Sequence, residues 1–399
     1  MLPAFHLIVA LLGCLLVAVT LPLLLELLVL SIAAALPDTP REPRHDNSPR
    51  LAVIIPAHNE EKLVGLSIES VGPAAHVFVV AHNCTDATAE RASEAGATVL
   101  VLNDAIGGKG TALDYGFRKA VEAGAEVLLV LDADSVAGPG LVAAVSAAFA
   151  AGAQAVQCRY EVANPEANRR TRLAALAFLG MNVLRPLGRH RLGLSCGIFG
   201  NGFALSASTL ATVPYTPNSL VEDLEYHLHL MRAGIRVRFL NHASVFGEMP
   251  ETSAAATSQR ARWEGGRILM RRLWSKPLAL EVLRGQLKML EPLLDLLAVP
   301  LATEAALLIL TLTCGLAAHI SLLAAYGAVG IATLVLYVVV AASLGPNTSG
   351  TLQALAAAPA FLAWKILMIP RTRLAARSDA AWVRTERNSG PSKPDDPSA

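Results

Sequence analysis

The stretch Val127-Leu128-Leu129-Val130-Leu131-Asp132-Ala133-Asp134-Ser135 decides how the middle of this chain folds. Five consecutive apolar residues that stop at polar ones read as a short strand buried on both faces. Similar runs precede it at Leu51–Ile55, Val77–Val80 and Val99–Leu102, separated by Ala-rich stretches of helical length. Strands alternating with helices predict an α/β domain with a mostly parallel sheet, placed here at residues 51–274. In such a sheet ligands bind at the carboxyl ends of the strands. Asp132 and Asp134 stand at one such end, where two carboxylates supply hard oxygen ligands for Mg²⁺ or Mn²⁺ on a diphosphate. Alone, an Asp-x-Asp is as often a solvated turn or a helix cap.

Outward from this domain the composition changes. The chain is 53% hydrophobic and only 16% charged, with a mean hydropathy of +0.47, against about 25% charged for a soluble domain. The run Leu7–Leu36, interrupted only by Pro22 and Glu26, is long enough to cross a bilayer. A cleaved signal peptide is the alternative, but the run is too long and lacks a basic leader. Residues 1–36 are therefore expected to form a transmembrane helix, and 37–50, rich in Pro and Arg, a cytoplasmic linker. Residues 275–304 mix Glu281, Arg284, Lys288, Glu291, Asp295 and Glu304 with leucines, which suits an amphipathic helix lying in the headgroup region.

From Ala305 to Trp364 there is no Asp, Glu, Lys or Arg. Within 305–370 we expect spans near Ala305–Leu323 and Ala325–Leu344 and an interfacial or re-entrant Thr351–Ile369, an even number of crossings that keeps the arginines of 371–399 cytoplasmic. The tail from Asn388 is expected to be disordered. With 33 Lys+Arg against 32 Asp+Glu, no basic field speaks for nucleic acid as a partner. The cysteines 14, 84, 158, 196 and 314 form no C-x-x-C pair and are expected to be reduced and buried.

Further polar clusters fall at strand-to-helix switches. The first strand runs into Pro56-Ala57-His58-Asn59-Glu60-Glu61, the second into Ala81-His82-Asn83-Cys84-Thr85-Asp86, and Gly107-Gly108-Lys109-Gly110 precedes a helix whose N-terminus favours phosphate. Capping by Asn59, Thr85 or Asp86 is the bland reading, and the glycine turn lacks P-loop spacing. Ser219-Leu220-Val221-Glu222-Asp223 opens another helix, where acids either complement the macrodipole or supply a general base. Gln259, Arg262 and Trp263 recur at i, i+3 and i+4 on a helix predicted over Ala254–Leu273, a face suited to a sugar ring and a pyrophosphate or, alternatively, to a membrane interface.

In this order the motifs resemble the family 2 glycosyltransferases of the GT-A fold, particularly the membrane-embedded branch with cellulose, chitin and hyaluronan synthases and bacterial exopolysaccharide enzymes. The resemblance covers about Leu51–Trp274. It implies that Pro56, Asn59, Glu60, Asn83 and Lys109 line a nucleotide-sugar pocket, that Asp132 and Asp134 hold ribose, diphosphate and Mg²⁺ or Mn²⁺, and that Asp223 with Glu222 supplies the base. Gln259, Arg262 and Trp263 would contact acceptor and diphosphate, and Gly200-Asn201-Gly202-Phe203 would lie near the acceptor. His82 stands where the family has a base-recognising Asp, a departure that bears on uridine specificity.

The expected function is inverting transfer from a nucleotide-diphosphate sugar, a UDP-sugar first, to a lipid-linked or polysaccharide acceptor at the cytoplasmic face of the inner membrane. Polysaccharide-export partners would follow from that setting. The alternatives are a processive synthase coupled to export and a catalytically inactive scaffold of an export complex.

Overall fold

The computed structural model describes residues 2–37, 48–104, 108–216 and 222–357. Eight strands, β1 (Leu51–Ala57), β2 (His76–His82), β3 (Thr98–Leu102), β4 (Val127–Val130), β5 (Ser135–Ala137), β6 (Ala155–Val162), β7 (Phe203–Ser206) and β8 (Val237–Gly247), form one sheet in the order β3-β2-β1-β4-β7-β6-β8-β5. The four strands read from the sequence are its parallel half, with Ile54 level with Phe78 on β2 and Val130 on β4. β7 runs antiparallel between β4 and β6, β8 is parallel to β6, and β5 closes the far edge antiparallel to β8. The α/β class and the mostly parallel sheet agree with the sequence reading.

Why these runs form strands follows from their burial. Val53, Ile54 and Ile55 are all at 0% exposure, which requires helices on both faces and removes any need for polar alternation. Each such side chain contributes about 1.5–3 kcal/mol on burial. Ile54, Val80, Leu128 and Val130 pack with Leu113 and Phe117 of the helix Lys109–Glu122, while Val53, Ile55, Val79 and Leu129 pack with Val64, Ile68, Leu141 and Val145 on the other face. The first of these clusters continues without a break into Leu24, Leu27 and Leu30 of the helix Leu2–Ala35 and Leu334, Tyr337 and Ala341 of the helix Ser321–Ser343. Sheet and apolar helices thus share one core.

Among the described residues two helices are long and apolar enough to cross a membrane, His6–Ala35 and Ser321–Ser343. The second matches the span expected over 325–344. The one expected over 305–323 is instead the 17-residue helix Leu301–Ala317, bent by 80° from Leu287–Leu297. Glu304 belongs to that helix and is fully buried, and Glu291 and Asp295 pair with Arg189 and Arg185, while Arg284 and Lys288 are exposed. The helix expected over 254–273 runs from Ser253 to Leu283, straight through Pro277. The five cysteines are unpaired, but only Cys158 and Cys196 are buried, and Cys14 is exposed. Within the proposed third segment the helix Thr348–Gln353 is described; residues 38–47 of the linker and everything from 358 onward, including the tail, lie outside the described residues.

Candidate functional site

Beyond the carboxyl end of β4 the chain turns sharply, the Ser135 N–H donating to the Asp132 carbonyl at 3.0 Å, before it crosses to the opposite sheet edge as β5. Asp132 is fixed on its backbone by Ser67, whose hydroxyl donates to its carbonyl at 3.1 Å, and by Asn201, whose Oδ1 accepts its N–H at 3.1 Å. Asn201 is buried and donates through Nδ2 to the Ser135 hydroxyl at 2.9 Å. Gln157 of β6 donates to the Asn201 carbonyl at 2.8 Å and accepts from the Phe199 N–H at 3.0 Å. The turn carrying both aspartates is therefore clamped by the Asn201 amide, itself held by Gln157 of β6, and both aspartate side chains remain half-buried. Asp134 lies 3.4 Å from the Ser135 hydroxyl.

Lys109, the first residue of its helix, reaches across the strand ends. Its ammonium bonds Asp132 Oδ1 and donates to the Gly200 carbonyl at 2.5 Å. Burial would favour the neutral amine, but Asp132, with Glu222 and Asp223 behind it, holds the Lys109 pKa above its ordinary value. Gly200 has φ +74°, and a Cβ there would stand 3.2 Å from Asp223 Oδ2 and 3.7 Å from Lys109 Nζ. The positive φ favours glycine at position 200, and a side chain there would crowd the Asp223 carboxylate.

Asp223 and Glu222 open the helix Glu222–Arg232, with Asp223 Oδ1 accepting the Leu224 N–H at 2.8 Å. Ser219, Leu220 and Val221 lie outside the described residues. Burial and the neighbouring Asp223 charge push the Glu222 pKa up to about 7, and burial raises that of Asp223. Lys109 pulls in the opposite direction on both and does not prevail. A carboxylate poised near neutrality can take a proton from a hydroxyl, which an ordinary exposed one does poorly. Tyr215 packs its ring 4.8 Å from Tyr226 beneath this helix, and its hydroxyl is buried without a hydrogen bond.

Other expected site residues are placed differently. Pro56 sits level with Val80 in the β1–β2 pair. Asn59, with φ 56°, uses Oδ1 to accept the Thr85 N–H at 2.7 Å, and the Glu60 N–H donates to the Thr88 hydroxyl at 2.8 Å. Asn59 caps neither neighbouring helix; its side chain ties the loop after β1 to the loop after β2. His82 is buried, its Nε2 3.0 Å from Asp104 Oδ1, while Asn83 exchanges hydrogen bonds with the Asp104 backbone at 3.1 and 3.2 Å. Asp104 was not singled out in the sequence, because it follows β3 without a motif. On the helix Ser253–Leu283, Gln259 is buried, Arg262 half-buried, and Trp263 exposed, with its ring 5.7 Å from Phe178. Lys109, Asp132, Glu222 and Asp223 form one electrostatic cluster, whereas Gln259, Arg262 and Trp263 share a separate helix.

A family model described as glycosyltransferase like family 2 matches residues 49–266, which includes every strand and the whole acidic cluster. The chain belongs to this family. Among solved structures it is similar to the mannosyltransferase PcManGT from Pyrobaculum calidifontis, solved with GDP-Man and Mn2+, at 18% identity and TM-score 0.51 over 94% of this chain and 97% of that one. That likeness shows a shared fold reaching beyond the catalytic domain into the apolar helices. Glucosyl-3-phosphoglycerate synthase from Mycobacterium tuberculosis, solved with Mn2+, UDP and phosphoglyceric acid, aligns at 21% identity and TM-score 0.35 over 56% of this chain and 74% of that one. No curated protein matches the sequence. In this family 2 glycosyltransferase the turn Asp132–Ser135 and the acidic helix start face each other across Lys109 and Gly200.

Proposed function

We propose that this glycosyltransferase moves a sugar from a nucleotide-diphosphate donor to a hydroxyl of a lipid-linked or polysaccharide acceptor, with inversion, at the cytoplasmic membrane face. The observation that carries the reading is the cluster at the strand ends, where Lys109 bonds Asp132 and the Gly200 carbonyl and the Asp223 carboxylate lies beside Gly200. Asp223 is the base: it lies beside Gly200, and burial gives it a higher proton affinity than an ordinary carboxylate. The Asp132 charge adds to that affinity by repulsion. Lys109 balances the Asp132 carboxylate and presents positive charge where a leaving diphosphate would gather negative charge.

The donor set suits a cation that arrives with the diphosphate. Among the described residues no three His, Cys, Asp or Glu gather as a metal cage, and Mg²⁺ asks the protein for only one or two carboxylates when phosphates supply the rest. Asp134, aided by Asp132, would hold it. Bound there, the cation would neutralise the departing diphosphate. The apolar helices and the shared core support residence in a membrane, with the basic stretch around Arg41–Arg50 on the cytoplasmic side. Acceptors delivered in the membrane plane fit that setting.

The test is direct. Full-length protein in lipid nanodiscs is supplied with UDP-, GDP- and dTDP-sugars and Mn²⁺, and nucleotide release is followed alongside lipid-linked product. Release from at least one donor that stops with chelator is expected. Chelator-resistant release would remove the metal assignment, and no release from any donor with a membrane lipid extract as acceptor would favour the scaffold reading.

A further inference from the structure

A second cluster of buried charge lies away from the strand ends, and four helices contribute to it. Glu26 is the one acidic or basic residue of the helix Leu2–Ala35 apart from His6. Its Oε1 lies 2.5 Å from Arg185 Nη2 and 2.9 Å from Arg189 Nη2, both on the short helix Arg185–Arg191. The same arginines reach Asp295 Oδ1 at 2.5 and 3.1 Å, and Arg189 Nε lies 2.5 Å from Glu291 Oε1, both acids on the helix Leu290–Leu297. Gly188 lets the helices touch, since a Cβ there would meet the Leu30 carbonyl at 2.6 Å.

From the fourth helix, Ser253–Leu283, Arg267 lies 3.5 Å from Asp295 Oδ2 and donates to the Asp295 carbonyl at 2.7 Å. Arg271 donates to the carbonyls of Leu296 and Ala298 at 3.1 and 3.0 Å, satisfying the end of the helix Leu290–Leu297. Gln259, Trp263, Arg267 and Arg271 follow one another at i+4 along a single ridge of this helix. The ridge that begins with the acceptor-side residues therefore ends in the arginines that grip the cluster.

We infer that Glu26 and Asp295 are positioning residues for the helix carrying Gln259, Arg262 and Trp263, which makes the N-terminal apolar helix a working part of the transferase as well as its anchor. This rests on the transferase reading above. Arg185, Arg189 and Arg267 balance Glu26, Glu291 and Asp295, and the Arg185 and Glu26 side chains are 5% and 9% exposed. Water cannot replace a lost partner there. Loss of one carboxylate leaves Arg185 and Arg189 to draw on Asp295, the residue through which Arg267 is held. Among the described residues the buried Glu26 Oε2 and Arg185 Nε atoms have no hydrogen-bond partner, so a lost pair is not replaced from within the cluster. A helix that shifts by about 1 Å at Arg267 shifts its motif residues too, and misplacement of that size costs about 10²-fold in rate.

Full-length wild type, Glu26→Gln, Glu26→Asp and Asp295→Asn in nanodiscs would be compared by nucleotide release from the donor found active with Mn²⁺, and by amide exchange. Glu26→Gln and Asp295→Asn should lower kcat by about 10²-fold while donor KM stays within about twofold. Exchange should quicken over residues 254–266 and stay unchanged over 51–57 and 127–130, and Glu26→Asp should recover most of the rate. Unchanged kcat per folded molecule, or faster exchange everywhere with kcat and KM moving together, overturns the inference. Should those variants fail to fold, Arg267→Gln at the cluster's rim, its side chain 35% exposed, carries the same expectation, and normal kcat in it would overturn the inference equally. A wild type inactive on every donor sinks the transferase reading, while the exchange comparison still decides the coupling.

Discussion

The two buried charge clusters of this molecule are built on opposite principles. At the helix junction, three cations, Arg185, Arg189 and Arg267, meet three acids, Glu26, Glu291 and Asp295, and the charges match in number, though burial still raises the Glu291 pKa. At the strand ends, Lys109 faces Asp132 with Glu222 and Asp223 close behind, and its charge does not offset theirs: the Glu222 and Asp223 pKa values stay raised. Matched charge at short range fixes helices relative to one another. Unmatched charge stores proton affinity and electrostatic attraction for a cationic or metal-bearing ligand, at the expense of stability. The first arrangement is what a joint needs, and the second is what a reaction needs.

The strongest way to break this distinction is Asp223→Asn. The substitution keeps shape and removes basicity, so nucleotide affinity measured by calorimetry should persist while turnover falls by about 10²–10⁴-fold. Turnover near wild type would remove Asp223 as the base and return the acids to helix capping. The complementary change belongs to the joint. Arg189→Met leaves Glu26, Glu291 and Asp295 short of a cation in a buried site, and should lower unfolding stability by about 3–5 kcal/mol. A loss below about 1 kcal/mol in chemical denaturation would mean the junction behaves like a surface ion-pair set.

How much of this was legible in the sequence differs between the two clusters for a physical reason. Asp132 and Asp134 directly follow an apolar strand, and Glu222 and Asp223 open a helix, so each half of the site is written in contiguous residues. The parallel half of the sheet was legible for the same reason, since runs buried on both faces need no long-range partner to be recognised. Asn201, Gln157 and Asp104 were not read as parts of one architecture because their contacts span β4, β6 and β7 or the loops after β2 and β3. The joint left a fainter trace: a lone Glu26 in an apolar run, Arg185 and Arg189 four apart, and Glu291 and Asp295 four apart. Each pair falls on one helix face, and an acid inside an apolar span calls for a partner. Read together, they would have turned Glu291 and Asp295 inward.

The finest test of the comparison is Glu222→Gln, because it changes the balance of the acidic cluster by one charge. A group whose folded pKa is raised binds its proton more tightly in the folded state than in the unfolded one. The stability that Glu222 contributes is therefore fully present below its ordinary value of 4.5 and is lost as the pH rises through about 7. Gln mimics the protonated form at every pH. The variant should thus match wild type in thermal stability at pH 4.5 and exceed it at pH 8, by on the order of 2 kcal/mol. The raised pKa of Asp223 comes from its burial, which the substitution leaves in place, so the acid limb of the transfer rate should keep its position in the variant. Melting curves of both proteins at the two pH values decide the first half, and pH–rate profiles the second. A stability difference that is the same at both pH values would show that Glu222 carries no stored charge, and the strand-end cluster would then be as balanced as the joint.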